Sequence, residues 1–252
     1  IVVRKSDGEY VAVTGNQTGV ILLQYILSSY AQLGSMPKNP LVVKTIVTSE
    51  LASRICERYG AQIVNVLTGF KFIGEQIERC VDTQKNTFVM GYEESYGYLV
   101  GTYARDKDGV VASLLIAEAA AYYRSRGMTL WDALCEIYAE YGYHMEQTVN
   151  LYMEGLDGKE KMKKLMAQLR DHAPAELGGI AVKEVRDYSK GILGLPKSDV
   201  LYYVLQDQSV VVVRPSGTEP KVKIYIMVSA KDEQAAQQKV NLLGQDLKQK
   251  YL

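Results

Sequence analysis

Two rhythms of apolar and polar positions divide the chain. Up to about Gly142, short β-branched runs alternate with segments whose apolar residues recur every three or four positions. Val20 to Leu27 is apolar enough for a buried helix, entered through Thr14-Gly15-Asn16-Gln17, which holds good N-cap residues. Gly34 to Pro40 is a loop with two prolines, and Leu41 to Val47 a strand. A helix from Ser49 to about Tyr59 ends at Gly60, the residue type that closes helices most cheaply. Ala61 to Leu67 reads as a strand, Phe70 to Arg79 as a helix, and Phe88 to Met90 as a short strand. Val110 to Arg126 is a long helix broken at Gly127. Thr129 opens the next, with Leu130, Leu134, Ile137 and Tyr141 on one face. Such alternation predicts βαβ units and a parallel or mixed sheet.

From His144 onward the strands cluster. Gln147 to Met153, Ile180 to Val185, Val200 to Leu205, Ser209 to Val213 and Lys221 to Val228 read as strands. One helix carries Met162, Leu165, Met166 and Leu169, and a closing helix carries Ala236, Val240, Leu243 and Leu247. This is the pattern of a smaller α+β domain, with a boundary between residues 142 and 150. At the other end, Ile1 to Arg4 reads as a strand entered midway, turning at Ser6 to Glu9 and returning over Tyr10 to Val13. That abrupt start suggests a piece of a larger protein.

Composition narrows the partners. The 252 residues hold 29 basic and 29 acidic side chains, a balance unlike the clustered cations of a nucleic-acid binder. No apolar run approaches the ~20 residues that span a bilayer, and no signal peptide is seen. Three cysteines, Cys56, Cys80 and Cys135, lie far apart without a C-x-x-C pair, which points to a reducing cytoplasm rather than a disulfide or zinc framework. The 19 tyrosines beside three phenylalanines read as half-buried packing with wet hydroxyls.

Four segments offer chemistry. In Arg214-Pro215-Ser216-Gly217-Thr218-Glu219-Pro220-Lys221, proline and glycine force a tight loop between strands. Its hydroxyls, backbone N–H groups, the Arg214 fork and the Lys221 point charge make a phosphate cradle a better reading than an ordinary hairpin turn. Tyr92-Glu93-Glu94-Ser95-Tyr96-Gly97 follows a strand of the first domain, where ligands of open α/β sheets sit. Its carboxylates and hydroxyl could read a sugar, or the segment is a solvated loop. It is not a nucleophile elbow, because Glu93 stands where G-x-S-x-G needs glycine. Arg105-Asp106-Lys107-Asp108-Gly109 fails as a calcium loop, since Val110 occupies a ligand position. Lys107, just before a helix, could meet a phosphate or be part of a charged first turn. Thr68-Gly69-Phe70-Lys71, between strand and helix, offers free backbone donors. His144 and His172 have no partners at metal spacing, and no Walker A, H-E-x-x-H or G-x-G-x-x-G motif occurs.

In their order and separation, "TGFKFIG" (Thr68 to Gly74), "GYEESYGYLVGT" with "RDKDG" (Gly91 to Gly109), "YGYH" (Tyr141 to His144) and "RPSGTEPK" (Arg214 to Lys221) resemble the α-D-phosphohexomutase superfamily, in its bacterial phosphoglucomutase branch. The resemblance runs along essentially the whole chain and places it at the third and fourth of four domains. It implies a remnant of domain two at residues 1–13, a sugar-binding mixed α/β three-layer domain over 14–145, and a TATA-binding-protein-like α+β phosphate-binding domain over 146–252. It implies that Glu93 and Ser95 hold sugar hydroxyls, that Lys107 meets the substrate phosphate and that Thr68 and Gly69 line the cleft. Arg214, Ser216, Gly217 and Thr218, with Lys221, would bind the phosphate that is not reacting. The Glu-Glu-Ser form of the sugar loop resembles the glucose-type members, with mannose and pentose phosphates left as alternatives.

The family's phosphoserine segment Ser-His-Asn-Pro and its D-G-D-x-D-R metal loop are not in this sequence. By the resemblance, the phosphoserine and the ligands of Mg²⁺ belong to the first two domains, which become this chain's partners. Glucose 1,6-bisphosphate is the implied intermediate and activator, and the chain alone is expected to be inactive. A freestanding sugar-phosphate binding module and an α/β interaction protein are the rival classes.

Overall fold

The computed structural model describes residues 1–153, 155, 157–217 and 219–251. They form two compact units, Ile1–Gly142 and Tyr143–Leu252.

The first unit begins with a hairpin of β1 (Val2–Arg4) and β2 (Tyr10–Ala12), whose Val3 is buried in the same apolar cluster as the helices that follow. Thr14 then caps α1 (Gly15–Gln32): its hydroxyl accepts from the Gln17 N–H, and the Gln17 side chain accepts from the Thr14 N–H. The helix is longer at both ends than the apolar run Val20 to Leu27 implied, because a reciprocal cap starts it a turn earlier. The chain continues through β3 (Pro40–Thr45), α2 (Leu51–Tyr59), β4 (Gln62–Val66), α3 (Phe70–Thr83), β5 (Thr87–Glu93), β6 (Gly97–Val100), α4 (Gly109–Ser125) and α5 (Leu130–Tyr141). Gly60 closes α2 at φ 68°, and Thr129 caps α5 with Asp132 completing the box.

The sheet order is β4-β3-β5-β6. Strands β3, β4 and β5 run parallel, and β6 is antiparallel to β5 at the edge. Val42, Met90 and Tyr92 face a core shared with α1, α2, α4 and α5, while Val43, Phe88 and Leu99 face α3 through Phe70, Ile73 and Ile77. Burial on both faces makes three layers, and β3 is accordingly buried at every position. Strand β6 falls in a segment to which the sequence reading assigned no element.

The second unit holds β7 (Tyr143–Tyr152), α6 (Gly158–Asp171), β8 (Glu176–Leu177), β9 (Ile180–Asp187), a single 3-10 turn at Tyr188–Lys190, β10 (Leu201–Leu205), β11 (Val210–Pro215), β12 (Lys221–Ala230) and α7 (Glu233–Tyr251). Its sheet is antiparallel in the order β7-β12-β11-β10-β9-β8. Alternation sends Val211, Val213, Val222, Ile224 and Ile226 toward α6 and α7, where Leu169, Val240, Leu243 and Leu247 complete the core. The residues between them, including Arg214, Lys223 and Tyr225, therefore lie on the opposite face of the sheet. Among the described residues no helix is long and apolar enough to cross a membrane.

Candidate functional site

Chain reversal at the carboxyl ends of parallel strands leaves backbone donors and strand-end side chains together, and the first unit follows that rule. After β4 the chain passes Thr68, which is half-buried, to Gly69 at φ 118°, a conformation that favours glycine and that opens α3. The Gly69 N–H donates to Glu93 Oε1 at 2.9 Å. Glu93 ends β5, is only 7% exposed, and pairs in register with Gly97 across the turn. A methyl built on Gly97 would lie 3.0 Å from Glu93 Oε2, 3.1 Å from Lys107 Cδ and 3.3 Å from the Phe70 ring. The missing side chain thus lets a carboxylate oxygen, a lysine stem and an aromatic ring close in on this point, where even a methyl would be crowded.

The loop carrying Lys107 is tied in place around it. The Asp108 N–H donates to the Tyr98 carbonyl at 3.0 Å, and Asp108 Oδ1 caps α4 by accepting from Val110 and Val111. Tyr103 donates to Asp108 Oδ2, and this bond, ahead of the two backbone donors, holds the Asp108 carboxyl below the usual range. Arg105 donates to Glu78 Oε2 at 2.6 Å, and Gly74 of α3 packs so close to the Arg105 carbonyl that no side chain fits there. Lys107 Nζ lies 3.1 Å from Asp106 Oδ1 and 5.7 Å from the Phe70 ring centre. The structure therefore brings Gly69, Glu93 and Lys107 together, with Thr68 beside them. Ser95 is exposed at the tip of the β5–β6 turn, next to Tyr96 at φ 66°.

Reading the sequence missed the other wall. Lys44, the penultimate residue of β3, is fully buried. Its Nζ donates to the Thr48 carbonyl at 3.0 Å and to Glu50 Oε1 at 2.9 Å. Thr45 and Thr48 share a 2.7 Å hydroxyl bond, and Thr45 Oγ1 donates to Glu94 Oε2 at 3.4 Å. The Ser49 N–H donates to Asn16 Oδ1 at 3.0 Å, joining this turn to α1. Burial pushes the neighbouring Cys56 thiol up to about 12, against the pull of the Lys44 charge. The signal was Lys44 and Thr45 at the end of an otherwise apolar strand, with Thr48 and Ser49 just beyond Ile46 and Val47.

In the second unit, three backbone N–H groups of the β11–β12 loop, where the sequence suggested an anion-binding concavity, are engaged within the hairpin. The Ser216 N–H donates to the Lys221 carbonyl at 2.8 Å, the Lys221 N–H to the Glu219 carbonyl at 2.8 Å, and the Glu219 N–H to Ser216 Oγ at 3.3 Å. Closing a tight hairpin consumes these donors. Lys221 is likewise engaged: its Nζ lies 2.6 Å from Glu219 Oε2 and 5.4 Å from the Tyr152 ring centre, and the Glu219 bond holds its ammonium above the ordinary range. Gly217 is exposed with open space beside it, and Thr218 lies outside the described residues.

What remains is a side-chain cradle. Arg214 Nη1 donates to the Tyr225 hydroxyl at 3.4 Å, and Lys223 pairs directly with Arg214 across the strands. Both cations are half-buried, and among the described residues neither has a carboxylate partner. Two like charges set opposite each other repel, which an oxyanion between them would relieve. Lys223 was not singled out from sequence, where it reads as one polar position of an alternating strand.

The alpha/beta/alpha domain III model of phosphoglucomutase/phosphomannomutase matches residues 14–141, and the C-terminal domain model of the same family matches residues 159–245. The chain belongs to the phosphoglucomutase/phosphomannomutase family. Within it, the phosphoglucomutase of Staphylococcus aureus strain MRSA252 is 35% identical over 251 residues, covering 95% of this chain and 44% of that protein. The enzyme of strain bovine RF122 / ET3-1 is 35% identical over 249 residues, with 94% and 44% covered. The chain thus spans less than half the length of these curated relatives. Among solved structures, pp63/parafusin (phosphoglucomutase) from Paramecium in its open form superimposes with TM-score 0.67 at 18% identity, over 94% of this chain and 41% of that one. Aspergillus fumigatus N-acetylphosphoglucosamine mutase, in complex with GlcNAc-6P and magnesium, gives TM-score 0.52 at 13% identity, over 100% and 46%. These structural likenesses carry the phosphohexomutase fold.

Proposed function

We propose that this chain is the sugar- and phosphate-holding part of a phosphoglucomutase, which interconverts glucose 1-phosphate and glucose 6-phosphate through a phosphoserine and a 1,6-bisphosphate. What supports this reading most is Glu93. One carboxylate oxygen takes the Gly69 N–H, and the other lies beside Gly97 near the Lys107 stem. That oxygen accepts a sugar hydroxyl, Ser95 at the turn tip and Thr68 at the strand end add hydroxyls, and the Lys107 ammonium meets a phosphate. Arg214 and Lys223, with Ser216, Gly217 and Thr218 of the adjoining loop, take the second phosphate.

Phosphoryl transfer disperses charge over the equatorial oxygens, so catalysis consists mostly of position and electrostatics. A bisphosphate must return its other phosphate to the serine, so each of its ends is in turn the distal one. A carboxylate that reads hydroxyls, plus a two-cation clamp for the far phosphate, serves both orientations. Mg²⁺ supplies charge neutralisation in this chemistry. Among the described residues no cluster of three His, Cys, Asp or Glu could hold a metal, so these residues do not fit the ion and no step here passes through it. Three free thiols suit a reducing cytoplasm as the working compartment.

The test is a coupled mutase assay with glucose 1-phosphate, Mg²⁺ and a trace of the 1,6-bisphosphate, run on this chain and on a protein of the relatives' full length. Activity in the longer protein alone is expected. Arg214→Ala there should cost ~2–4 kcal/mol of transition-state stabilisation, since a charge-assisted phosphate contact goes. A less than about twofold fall in kcat/KM overturns the assignment of Arg214. Turnover of mannose or pentose phosphates instead would keep the family and change the substrate.

A further inference from the structure

Helix α3 starts at the Gly69 corner of the sugar site and ends at the opposite edge of the sheet. There, beside the first residues of β3, β4 and β5, lies a cavity of about 260 Å³. Leu41, Val64 and Cys80 give it an apolar floor. Its polar lining includes the amides of Gln62, Gln76 and Asn86 and two cations, Arg79 and Lys85, with no carboxylate among the lining residues. Neither cation has a salt-bridge partner among the described residues.

The rim is held in shape without using those charges. The Asn86 amide donates to Gln62 Oε1 at 2.9 Å, and the Asn39 amide to the Lys85 carbonyl at 2.9 Å. Asn39 and Gln84 both adopt left-handed backbone, at φ 48° and 51°. The last turn of α3 is satisfied internally: the Thr83 hydroxyl donates to the Arg79 carbonyl at 2.7 Å and the Gln84 N–H to the Cys80 carbonyl at 2.9 Å. The guanidinium and ammonium are therefore not spent on capping this helix end.

We infer that this cavity is a second binding site, for a compact organic molecule carrying one phosphate or carboxylate group. The oxyanion bridges Arg79 and Lys85, the amides take its polar substituents, and a body of a few carbons covers Leu41 and Val64. A volume just below the usual range of ligand pockets limits the occupant to a small metabolite. The inference does not depend on the proposed activity, because the cavity and the Gly69–Glu93 corner lie at opposite ends of α3.

The experiment is an amide-detected NMR titration of the 252-residue chain with three probes, namely inorganic phosphate, glycerol 3-phosphate and glutarate, each to about 20 mM, a range that detects millimolar affinity. The expected result is saturable movement of the Gln62, Gln76, Lys85 and Asn86 signals with glycerol 3-phosphate or glutarate, and no comparable movement at Gly69 and Glu93 with the same probe. An Arg79→Gln, Lys85→Gln double variant, exposed and neutral in packing, should weaken that binding by about tenfold or more. Val64→Phe, which fills the floor, should abolish it. No movement with any probe, or movement that the double variant leaves unchanged, overturns the inference. So does movement with inorganic phosphate alone that added salt removes, because that marks only screened surface charge.

Discussion

In the first unit Glu93 is nearly buried and already holds a backbone donor, whereas in the second Arg214 and Lys223 face each other half-exposed, with the Tyr225 hydroxyl accepting from Arg214. The first site is assembled before any ligand arrives: the β3–α2 turn, the α1 entry and the β5–β6 turn lock one another through Lys44, Asn16, Thr45 and Glu94. The second sets two cations opposite each other on a sheet face without a carboxylate between them, the arrangement that the proposed phosphate would complete. Recognition of hydroxyl geometry needs fixed partners, while capture of a phosphate in either of two orientations needs charge more than shape.

The sharpest way to break this contrast is to disturb the first site from behind. Gly15 packs directly against the Glu94 carbonyl, so Gly15→Val should cost about 3 kcal/mol of stability by overpacking and displace the β5–β6 turn. Chemical denaturation followed by Trp131, the single tryptophan and a residue of α5, reports on the first unit. Next in size, Lys44→Met keeps the volume but strands the Thr48 carbonyl and Glu50, for a loss of about 2 kcal/mol in the same measurement. An unchanged midpoint would mean that the buried ammonium is not what holds the wall.

The second site responds in the opposite direction. Glu219→Gln releases Lys221 and should tighten phosphate binding by about two- to threefold at low salt, with stability unchanged, as calorimetry would read. The smallest effect is on pH. Burial alone would raise Asp187 and Asp207. The bonds from Ser189 and Arg170 outweigh it for the first, and those from Lys239 and Ser209 for the second, leaving both carboxyls below the usual range. A lowered pKa contributes stability above the unfolded value of about 3.9 that disappears as pH falls. In the first unit burial pushes Tyr25 and Cys56 up to about 12, so their contribution is present below the unfolded values and lost as pH rises past about 9 to 10. Asp108 of the first unit is held low as well, so acid should reduce the far-UV circular dichroism of the whole chain, while alkali should move Trp131 fluorescence.

Much of this was legible in residue order, for reasons that differ by element. Gly60 and Thr129 mark helix ends because their roles are local, one through a left-handed φ and the other through a side-chain cap. Strand β6 was not legible, since Glu93 to Gly97 offers turn-like polarity on one side of a four-residue strand. The identity of the segment holding Glu93, Gly69 and Lys107 could be proposed from motif order, but their convergence at Gly97 depends on β5 and α3 meeting across the sheet. Lys44 was overlooked because a buried cation in an apolar run becomes informative only when its acceptors, four and six residues later in the chain, are seen. In the β11–β12 loop, sequence alone does not say that the Ser216, Glu219 and Lys221 N–H groups close the hairpin.

The pairing of β7 with β12 has a consequence during synthesis. The opening strand of the second unit, Tyr143–Tyr152, finds its neighbour only at Lys221–Ala230, so every residue between must leave the ribosome before that pair can form. The parallel strands of the first unit meet partners a few tens of residues away. A nascent chain would therefore carry a finished first unit and a long, still unpaired β7. Over that interval this strand's unpaired edge is open to pairing with another chain.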